Sequence, residues 1–276
     1  MMNKILEVFR AQGLLGFLAT IVNTTTSRFF GFRFTKSISI KQNRIARRIF
    51  SKRSVEKSND GYFYLNPMPT EDELTEYYQS LYWNTRTGKY YGASTRDLMH
   101  FNMLKTYIPS EITNGKVFLN FGAGHGGVSN LLWLAGMDII NIEPSGIPKF
   151  YEQRWNTYKM ISSVQDSSVD IIYGSHSLEH VQNIDKLKSE VKRVLKPNAS
   201  LFWEVPNADH PTCGAQTGNI DIPHTYYFSK DFFDNWFSKT LLNKSYEQCE
   251  RFGVIERWFD FEKNPGPVIR ALGKID

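Results

Sequence analysis

Cysteine is scarce in this sequence. Its 276 residues include two cysteines, Cys213 and Cys249, and neither belongs to a C-x-x-C pair or to a Cys/His ligand spacing. A disulfide framework is therefore improbable on spacing alone, and we expect both thiols to be reduced in a cytoplasmic protein. The same shortage argues against a structural zinc site, and we predict no bound metal.

Long apolar runs are also lacking. The run near the N-terminus, residues 13–22 (GLLGFLATIV), has ten residues, about half of the roughly 20 that a membrane-spanning helix needs. No A-x-A-like cleavage site follows it over Thr20–Thr26, so it does not fit a secretion signal. We therefore expect a cytoplasmic location without a spanning helix.

Acidic residues are nearly missing from the N-terminal segment. Residues 1–54 hold 11 of the 33 Lys and Arg residues and a single acid, Glu7, so this arm carries +10 and the rest −5. A body that binds nucleic acid would carry its own basic face, so we expect no nucleic-acid partner. Aromatics among the arm's cations, as in Arg28–Arg33, are typical of contact with anionic membranes. A solvated or partner-docked helical arm remains an equal alternative, and the oligomeric state stays open.

Turn residues Ser58–Gly61 (Ser-Asn-Asp-Gly) divide the chain. We predict a basic amphipathic arm over residues 1–57 and one domain over residues 58–276. Apolar residues form 41% of the chain, which is enough for a sizeable core. Thr70 and Glu73 fit a capping box, which predicts a helix that begins at Thr70 and flanks the site. Its apolar face would comprise Leu74, Tyr77, Tyr78 and Leu81.

A strand, a glycine-rich turn and a helix follow one another from residue 117. The strand pattern VFL leads into residues 120–127 (NFGAGHGG), a helix that ends at Gly136, and a second strand that ends at Glu143. In a doubly wound sheet, ligands bind beyond the carboxyl ends of such strands. Glycines allow close approach of the backbone, and Glu143 can accept hydrogen bonds from ribose hydroxyls. The turn also satisfies the dinucleotide pattern G-x-G-x-x-G, so a nicotinamide cofactor stays an alternative at this point.

Two more strands extend this pattern. The first spans residues 168–173 (SVDIIY) and leads into Gly174–Val181 (GSHSLEHV). A helix follows, with an apolar face that includes Leu187, Val191, Val194 and Leu195, and runs to Lys196–Asn198. The next strand spans residues 201–207 (LFWEVPN). Strands and helices thus alternate, as in a parallel α/β sheet.

These segments resemble the class I S-adenosylmethionine-dependent methyltransferases. VFLNFGAGHGG is similar to their glycine-rich motif, NIEPS to their ribose-binding strand end, and SVDIIYGSHSLEHV with VKRVLKPNASLFWEVPN to their fourth and fifth strands. The resemblance covers residues 60–240. It implies an α/β, doubly wound, Rossmann-like sheet of seven mostly parallel strands, with an antiparallel last strand, helices on both faces and an N-terminal helical arm.

The resemblance also implies the site. S-adenosylmethionine would contact Asn120, Gly122, Ala123, Gly124, Gly126, Glu143, Pro144, Ser162, Ser163 and Ser175. Asn120 stands where the family usually has an acid, and Ser162 or Ser163 where an adenine-side acid is usual. His180 or His176 is the predicted general base, because both follow the fourth strand on the acceptor side. The loop after the fifth strand would shape the acceptor pocket with Asp209, His210, His224 and Tyr226.

The predicted function is methyl transfer from S-adenosylmethionine, as O-methylation of a sugar, a glycolipid or a related small molecule, in a process such as polysaccharide biosynthesis at the inner membrane face. The acceptor class rests on the resemblance and on the basic arm. Two alternatives remain: an NAD-dependent oxidoreductase with the same fold, and an inactive cofactor-binding scaffold at the membrane surface.

Overall fold

The computed structural model describes residues 32–34, 40–78, 93–144, 155–247 and 262–276. The apolar run 13–22, Leu81 and Cys249 lie outside the described residues. The described strands are β1 (Phe32–Phe34), β2 (Ser54–Lys57), β3 (Tyr62–Asn66), β4 (Val117–Phe121), β5 (Asp138–Ile142), β6 (Asn156–Tyr158), β7 (Val169–Ser175), β8 (Leu195–Pro206), β9 (Ile220–Ile222), β10 (Tyr226–Phe228), β11 (Lys239–Tyr246) and β12 (Val268–Lys274). The helices are α1 (Ile40–Phe50), α2 (Glu71–Tyr77), α3 (Thr95–Tyr107), α4 (Gly127–Leu134), α5 (Ile184–Val194), α6 (Gly214–Thr217) and α7 (Lys230–Trp236).

Seven strands form the central sheet, in the order β11-β12-β8-β7-β4-β5-β6. The pairs from β8 to β6 are parallel, whereas β12 runs antiparallel to both of its neighbours. The predicted sheet, including its antiparallel last strand, is confirmed. The carboxyl ends of β4, β5 and β7 meet at one edge, which is where a doubly wound fold binds its ligands.

Side chains that point alternately to the two faces of the central sheet form a hydrophobic core on each face. Leu119 and Ile172 pack in a cluster with the apolar face of α5 and with α7. Phe118 and Ile171, their chain neighbours, pack in a second cluster with α3 and α4. Successive side chains of a strand point to opposite faces, so near-continuous apolar runs such as VFL and DIIY supply both cores at once.

Sequence signals predicted some of the helix boundaries. Thr70 caps α2 in the predicted capping box, with Glu73 N–H donating to Thr70 Oγ1 and Thr70 N–H donating to Glu73. Helix α5 ends at Val194, so the prediction that Leu195 belongs to it is wrong by one residue. Leu195 instead begins β8 and is buried from there. Asn198, within β8, adopts a φ of 63°, a left-handed conformation that asparagine tolerates better than most residues.

Residues 40–57 pack against the rest of the chain. Ala46, Ile49 and Phe50 of α1 are buried in a third cluster with residues of β3, α2 and β9. Strand β2 pairs with β3 in a hairpin, and β10 completes that small sheet. The predicted boundary at residues 57/58 therefore lies in a hairpin turn. The apolar face of α1 covers the body of the protein, while Arg44, Arg47 and Arg48 lie on its exposed side.

Within the described ranges, no helix combines the length and the apolar character that crossing a membrane requires.

Candidate active site

The glycine-rich turn after β4 is held in a left-handed backbone. Gly122, Gly124 and Gly126 have φ values of 72°, 57° and 70°, which glycine adopts without strain. The N–H groups of Gly122 and Ala123 both donate to Ile142 O at the end of β5, at 2.9 and 3.1 Å. These bonds fix the turn over the carboxyl ends of β4 and β5.

Glu143 lies directly beside this turn. Its carboxylate is buried, and its Oε2 accepts a hydrogen bond of 2.8 Å from Gly124 N–H. Its own N–H donates to Tyr158 O at the end of β6. Pro144 follows it and is exposed. The structure thus brings together the predicted ribose-side carboxylate and the predicted glycines.

Two of the glycines allow other segments to pack closely. A Cβ on Gly122 would lie 2.5 Å from the Cβ of Ser177, and one on Gly126 would lie 2.6 Å from the Trp155 ring. Ser177 belongs to the segment that follows β7. The glycine-rich turn therefore packs directly on the residues after β7, which are the predicted acceptor side.

Asn120, the residue in place of the usual acid, is buried beneath the turn. Its Nδ2 donates to Ser129 Oγ at 2.8 Å, and Ser129 Oγ donates to Asn141 Oδ1 at 2.7 Å. The neutral amide therefore joins β4, α4 and β5 through a buried polar chain. A contact between Asn120 and the cofactor stays a prediction.

Ser162 and Ser163 are exposed in a single helical turn after β6. Arg193 holds the segment around this turn by donating to the carbonyl oxygens of Ile161 and Val164. The two serines thus follow the strand next to β5, as predicted. Their contact with an adenine ring stays a prediction.

A cluster of one carboxylate and three histidines lies after β7. Glu179 Oε1 is 3.2 Å from His176 Nδ1, 3.8 Å from His180 Nε2 and 4.0 Å from His224 Nε2. Burial would raise the pKa of Glu179, but His180, His176 and His224 outweigh it and lower this pKa to about 2. Glu179 is therefore ionised at neutral pH although it is buried. We call these four residues the Glu179 cluster.

Thr225 connects the two segments that form the Glu179 cluster. Its N–H donates to Glu179 O at 2.8 Å, and its Oγ1 lies 3.0 Å from Glu179 O and 2.6 Å from Val181 O. These contacts dock the loop between β9 and β10 on the end of β7. His224 reaches Glu179 because Thr225 fixes this loop.

The ring of Tyr78, at the end of α2, packs edge-on to His180, so α2 flanks the site as predicted.

His176 occupies a constrained position between two carboxylates. Its backbone has a φ of 50°, and its Nε2 lies 3.4 Å from Glu204 Oε1 while its Nδ1 faces Glu179. Burial would lower the pKa of His176, but the interactions with the carboxylates of Glu179 and Glu204 raise it. With both ring nitrogens facing carboxylates, His176 is poorly placed to take a proton from an acceptor.

Glu204 on β8 is the centre of a second buried network. Its Oε2 accepts from Arg270 Nε at 2.7 Å and lies 2.9 Å from His100 Nε2, and its Oε1 accepts from Ser175 Oγ. Burial would raise its pKa, but His100, Arg270 and Arg96 hold it well below the ordinary value. Burial lowers the pKa of His100 in turn. The Ser175 hydroxyl donates its proton to Glu204, and a contact between Ser175 and the cofactor stays a prediction.

The remaining predicted acceptor residues do not join the Glu179 cluster. Asp209 N–H donates to Asn207 Oδ1, and His210 Nδ1 lies 2.7 Å from Thr212 Oγ1. Their acceptor contacts stay predictions. Tyr226 is buried in the core, and its hydroxyl accepts from Ile184 N–H. Its contact with the acceptor also stays a prediction.

Sequence reasoning missed Glu179, Glu204, Arg270 and His100. A usable signal existed for two of them: Glu204 and Arg270 are single charges of opposite sign in the buried runs LFWEVP and VIRALG. Buried charges are rarely tolerated without a partner, and these two residues are direct neighbours across β8 and β12.

Comparison with known proteins agrees with this geometry. The profile of a methyltransferase domain matches residues 94–244, more than half of the chain. The fold and this match together define the class of Rossmann-like methyltransferases. The chain belongs to this methyltransferase domain family. The match supports neither the nicotinamide enzyme nor the inactive scaffold.

Solved structures of similar proteins are distant in sequence. A SAM-dependent methyltransferase from Archaeoglobus fulgidus is 18% identical, with a TM-score of 0.47 and coverage of 71% of this chain and 99% of that one. The 1,6-didemethyltoxoflavin-N1-methyltransferase of Burkholderia thailandensis is 13% identical, with a TM-score of 0.47 and coverage of 82% and 96%. A putative methyltransferase from Anabaena variabilis is 20% identical, with a TM-score of 0.35 and coverage of 42% of this chain and 49% of that one, so the chain spans about half of its length. No curated protein matches the sequence. These scores add nothing to the family assignment.

The described residues fit S-adenosylmethionine. Glu143 offers a buried carboxylate at the end of β5, which suits paired ribose hydroxyls. Gly126 begins α4 without a side-chain cap, and the first turn of α4 contains no acidic residue. Its N–H groups therefore suit an anionic group such as a carboxylate. Gly124 adds a position where the backbone is approachable without a Cβ.

Proposed function

We propose that this protein transfers the methyl group of S-adenosylmethionine to a hydroxyl oxygen of a sugar, a glycolipid or a related small molecule. The observation that carries this proposal is the Glu179 cluster at the carboxyl end of β7. Its ionised carboxylate and imidazoles lie beside the glycine-rich turn, which packs on Ser177.

A hydroxyl acceptor makes specific demands on the protein. When bound, S-adenosylmethionine supplies a methyl group on a positively charged sulfur. The acceptor oxygen must be aligned with this methyl group, and the hydroxyl must lose its proton as the C–O bond forms. Amine acceptors need no such help once they are neutral. The Glu179 cluster, with one anion and three imidazoles, supplies the groups that an alcohol acceptor needs.

Methyl transfer with labelled S-adenosylmethionine tests this function. Purified full-length protein is incubated with the host's small-molecule and glycolipid extracts, and the methylated product is located by mass spectrometry. We expect label on oxygen. Glu179→Gln and His180→Ala should each lower turnover by about 10²- to 10⁴-fold, whereas the exposed Glu71→Gln should not. Label on nitrogen only, or equal rates in all variants, would contradict the proposal.

We also propose that the N-terminal segment attaches the protein to anionic membranes. Arg44 and Lys52 are exposed in or just after α1, in the part of the chain with the strongest positive charge. Each cation close to an anionic surface contributes about 1 kcal/mol. Deletion of residues 1–54 would remove α1 from the core, so substitutions are the better test.

Co-sedimentation with phosphatidylserine vesicles at low salt measures this attachment. Arg44→Glu with Lys52→Glu should release the protein, and added salt should do the same. Lys192→Glu with Lys239→Glu removes equal charge from exposed positions elsewhere and serves as the control. Full-length protein that stays in the supernatant would rule out the membrane role.

A further inference from the structure

Three residues of the Glu179 cluster have the chemistry and spacing of metal ligands. The donor atoms of Glu179, His180 and His224 all lie within 4.8 Å of one another. Glu179 Oε1 is 3.8 Å from His180 Nε2 and 4.0 Å from His224 Nε2. Two ligand atoms about 2.1 Å from one ion can lie up to about 4.2 Å apart. Both measured distances fall within that limit.

His180 is oriented as metal-binding histidines usually are. Its Nδ1 lies 3.5 Å from the carbonyl oxygen of Pro223, and its Nε2 points to Glu179. A backbone carbonyl at Nδ1 favours the tautomer with the proton on that nitrogen, which leaves the lone pair of Nε2 for a ligand. Pro223 is the residue before His224, so one loop both orients His180 and supplies the third donor.

A second, independent observation also points to a ligand. Glu179 Oε2 is buried and has no hydrogen-bond partner among the described residues. A buried carboxylate oxygen without a partner is costly. The contacts of His176, His180 and His224 given above are all to the other oxygen, Oε1. A cation bound by the carboxylate would relieve this cost.

We propose that Glu179, His180 and His224 bind one divalent cation, and that its open coordination positions bind oxygen atoms of the methyl acceptor. Two imidazoles and one carboxylate suit Zn²⁺, Mn²⁺, Fe²⁺ or Co²⁺. Three protein ligands with open positions are characteristic of catalytic rather than structural sites. This proposal replaces the prediction of no metal, which considered only cysteine-containing spacings.

The cation would explain how a hydroxyl is activated at this position. A cation lowers the pKa of an oxygen bound to it. The acceptor oxygen would then form the C–O bond as the C–S bond breaks, the sulfur would keep the electron pair, and the hydroxyl proton would pass to water or to a neighbouring base. His180 is a ligand in this arrangement and not the proton acceptor. The preferred substrate class is a compound with adjacent oxygen donors, such as a vicinal diol. This part rests on the proposed function, but cation binding does not.

Cation binding is tested on the full-length protein after removal of metals with a chelator. Mn²⁺, Zn²⁺, Co²⁺ and Mg²⁺ are titrated separately by calorimetry, and Co²⁺ is also followed by its visible absorption. We expect one ion per chain and a rise in melting temperature. Glu179→Gln and His224→Gln should each weaken binding by at least about 100-fold, more than loss of an outer hydrogen-bond partner does. His210→Ala, a histidine outside the Glu179 cluster, should bind the ion as wild type does.

The outcomes separate the two proposals. One ion per chain that is lost in both Glu179→Gln and His224→Gln supports the cation site, even when no hydroxyl acceptor is methylated. Absence of binding for all four ions, or equal binding in wild type and both variants, overturns it. Circular dichroism of each variant shows whether it is folded. If a variant does not fold, the ion-dependent rise in melting temperature of the wild type still tests whether the protein binds a cation. Chelator-treated enzyme that methylates at the full rate would also overturn the cation site while leaving the proposed function intact, with His180 as base.

Discussion

Glu179 and Glu204 are two carboxylates with the same burial and different surroundings. Each is about 1% exposed, and they lie on either side of His176. Glu204 contacts the guanidinium of Arg270, the ring of His100 and the hydroxyl of Ser175. Glu179 faces imidazoles, and one of its oxygens has no hydrogen-bond partner among the described residues.

This difference separates a structural charge from a functional one. Both oxygens of Glu204 accept hydrogen bonds, and a buried ion pair of this kind stabilises the fold only modestly, yet losing one partner is costly. A carboxylate with an unsatisfied oxygen at the ligand-binding edge of the sheet costs stability unless something binds there. Glu204 therefore fixes β8 to β12, whereas Glu179 is the carboxylate for which we propose a ligand.

The largest loss of stability should follow from removing Arg270, the cation that pairs with Glu204. Arg270→Met leaves Glu204 buried without its main cation and should lower the free energy of unfolding by about 3–5 kcal/mol. Denaturant unfolding followed by tryptophan fluorescence measures this loss. Lys274→Met is the matched control, because Lys274 lies on the same strand but pairs with Glu111 near the surface. Arg270→Met that costs no more than Lys274→Met would remove the distinction between the two carboxylates.

Substitutions at Gly124 and Glu143 should weaken cofactor binding and leave Glu179 and Glu204 undisturbed. S-adenosylhomocysteine at 100 times its dissociation constant should stabilise the wild type by about 2.7 kcal/mol. Gly124→Arg should abolish this gain in a thermal-shift assay, because it fills the space beside Glu143. Glu143→Ala should reduce it, and NAD should have no effect on the wild type. A normal shift in both variants would refute the cofactor site.

Thr225 tests whether the Glu179 cluster depends on the docked loop. Thr225→Val removes the hydroxyl that contacts Glu179 O and Val181 O, and should lower the free energy of unfolding by about 1 kcal/mol. Turnover should fall with it, because His224 loses its fixed position relative to Glu179. Thr225→Ser keeps the hydroxyl and should restore both. The two variants are compared by thermal unfolding and by methyl transfer, and equal behaviour would contradict the positioning role.

The smallest effect concerns a third carboxylate, Asp170, which lies near the surface. Burial would raise the pKa of Asp170, but hydrogen bonds from Lys116, Lys196 and Val117 N–H lower it below its ordinary value. A lowered folded-state pKa gives stability that is present above the unfolded pKa of about 3.9 and is lost as pH falls through the folded value. The side chains of the partner lysines, Lys116 and Lys196, are 44% and 36% exposed. The expected contribution to stability is therefore only about 1 kcal/mol.

Asp170→Asn should therefore lower stability at pH 7 by about this amount and reduce the loss of stability between about pH 5 and pH 3. Unfolding midpoints across this range measure the difference. Parallel pH curves for Asp170→Asn and the wild type would show that the lysine contacts do not hold the carboxylate in its charged form.

Local sequence patterns were sufficient for the sheet and for the position of the glycine-rich turn beside Glu143. The runs VFL and DIIY, the glycines of the turn and Glu143 are neighbours in sequence or lie at the ends of adjacent parallel strands. Topology alone brings such residues together. The end of α5 was misplaced by one residue, because Leu195 fits the apolar face of the helix and the start of the strand equally well.

Only the tertiary structure decided which charges pair and which do not. Arg270 meets Glu204 across 66 residues, and His224 meets Glu179 because Thr225 docks a distant loop. The sequence by itself determined the family, the order of the elements and the glycine-rich turn, since these depend on periodicity and on local backbone preferences. Burial, partner and spacing of an ionisable side chain depend instead on long-range packing, and these decided that Tyr226 belongs to the core and that Glu179, His180 and His224 form one cluster.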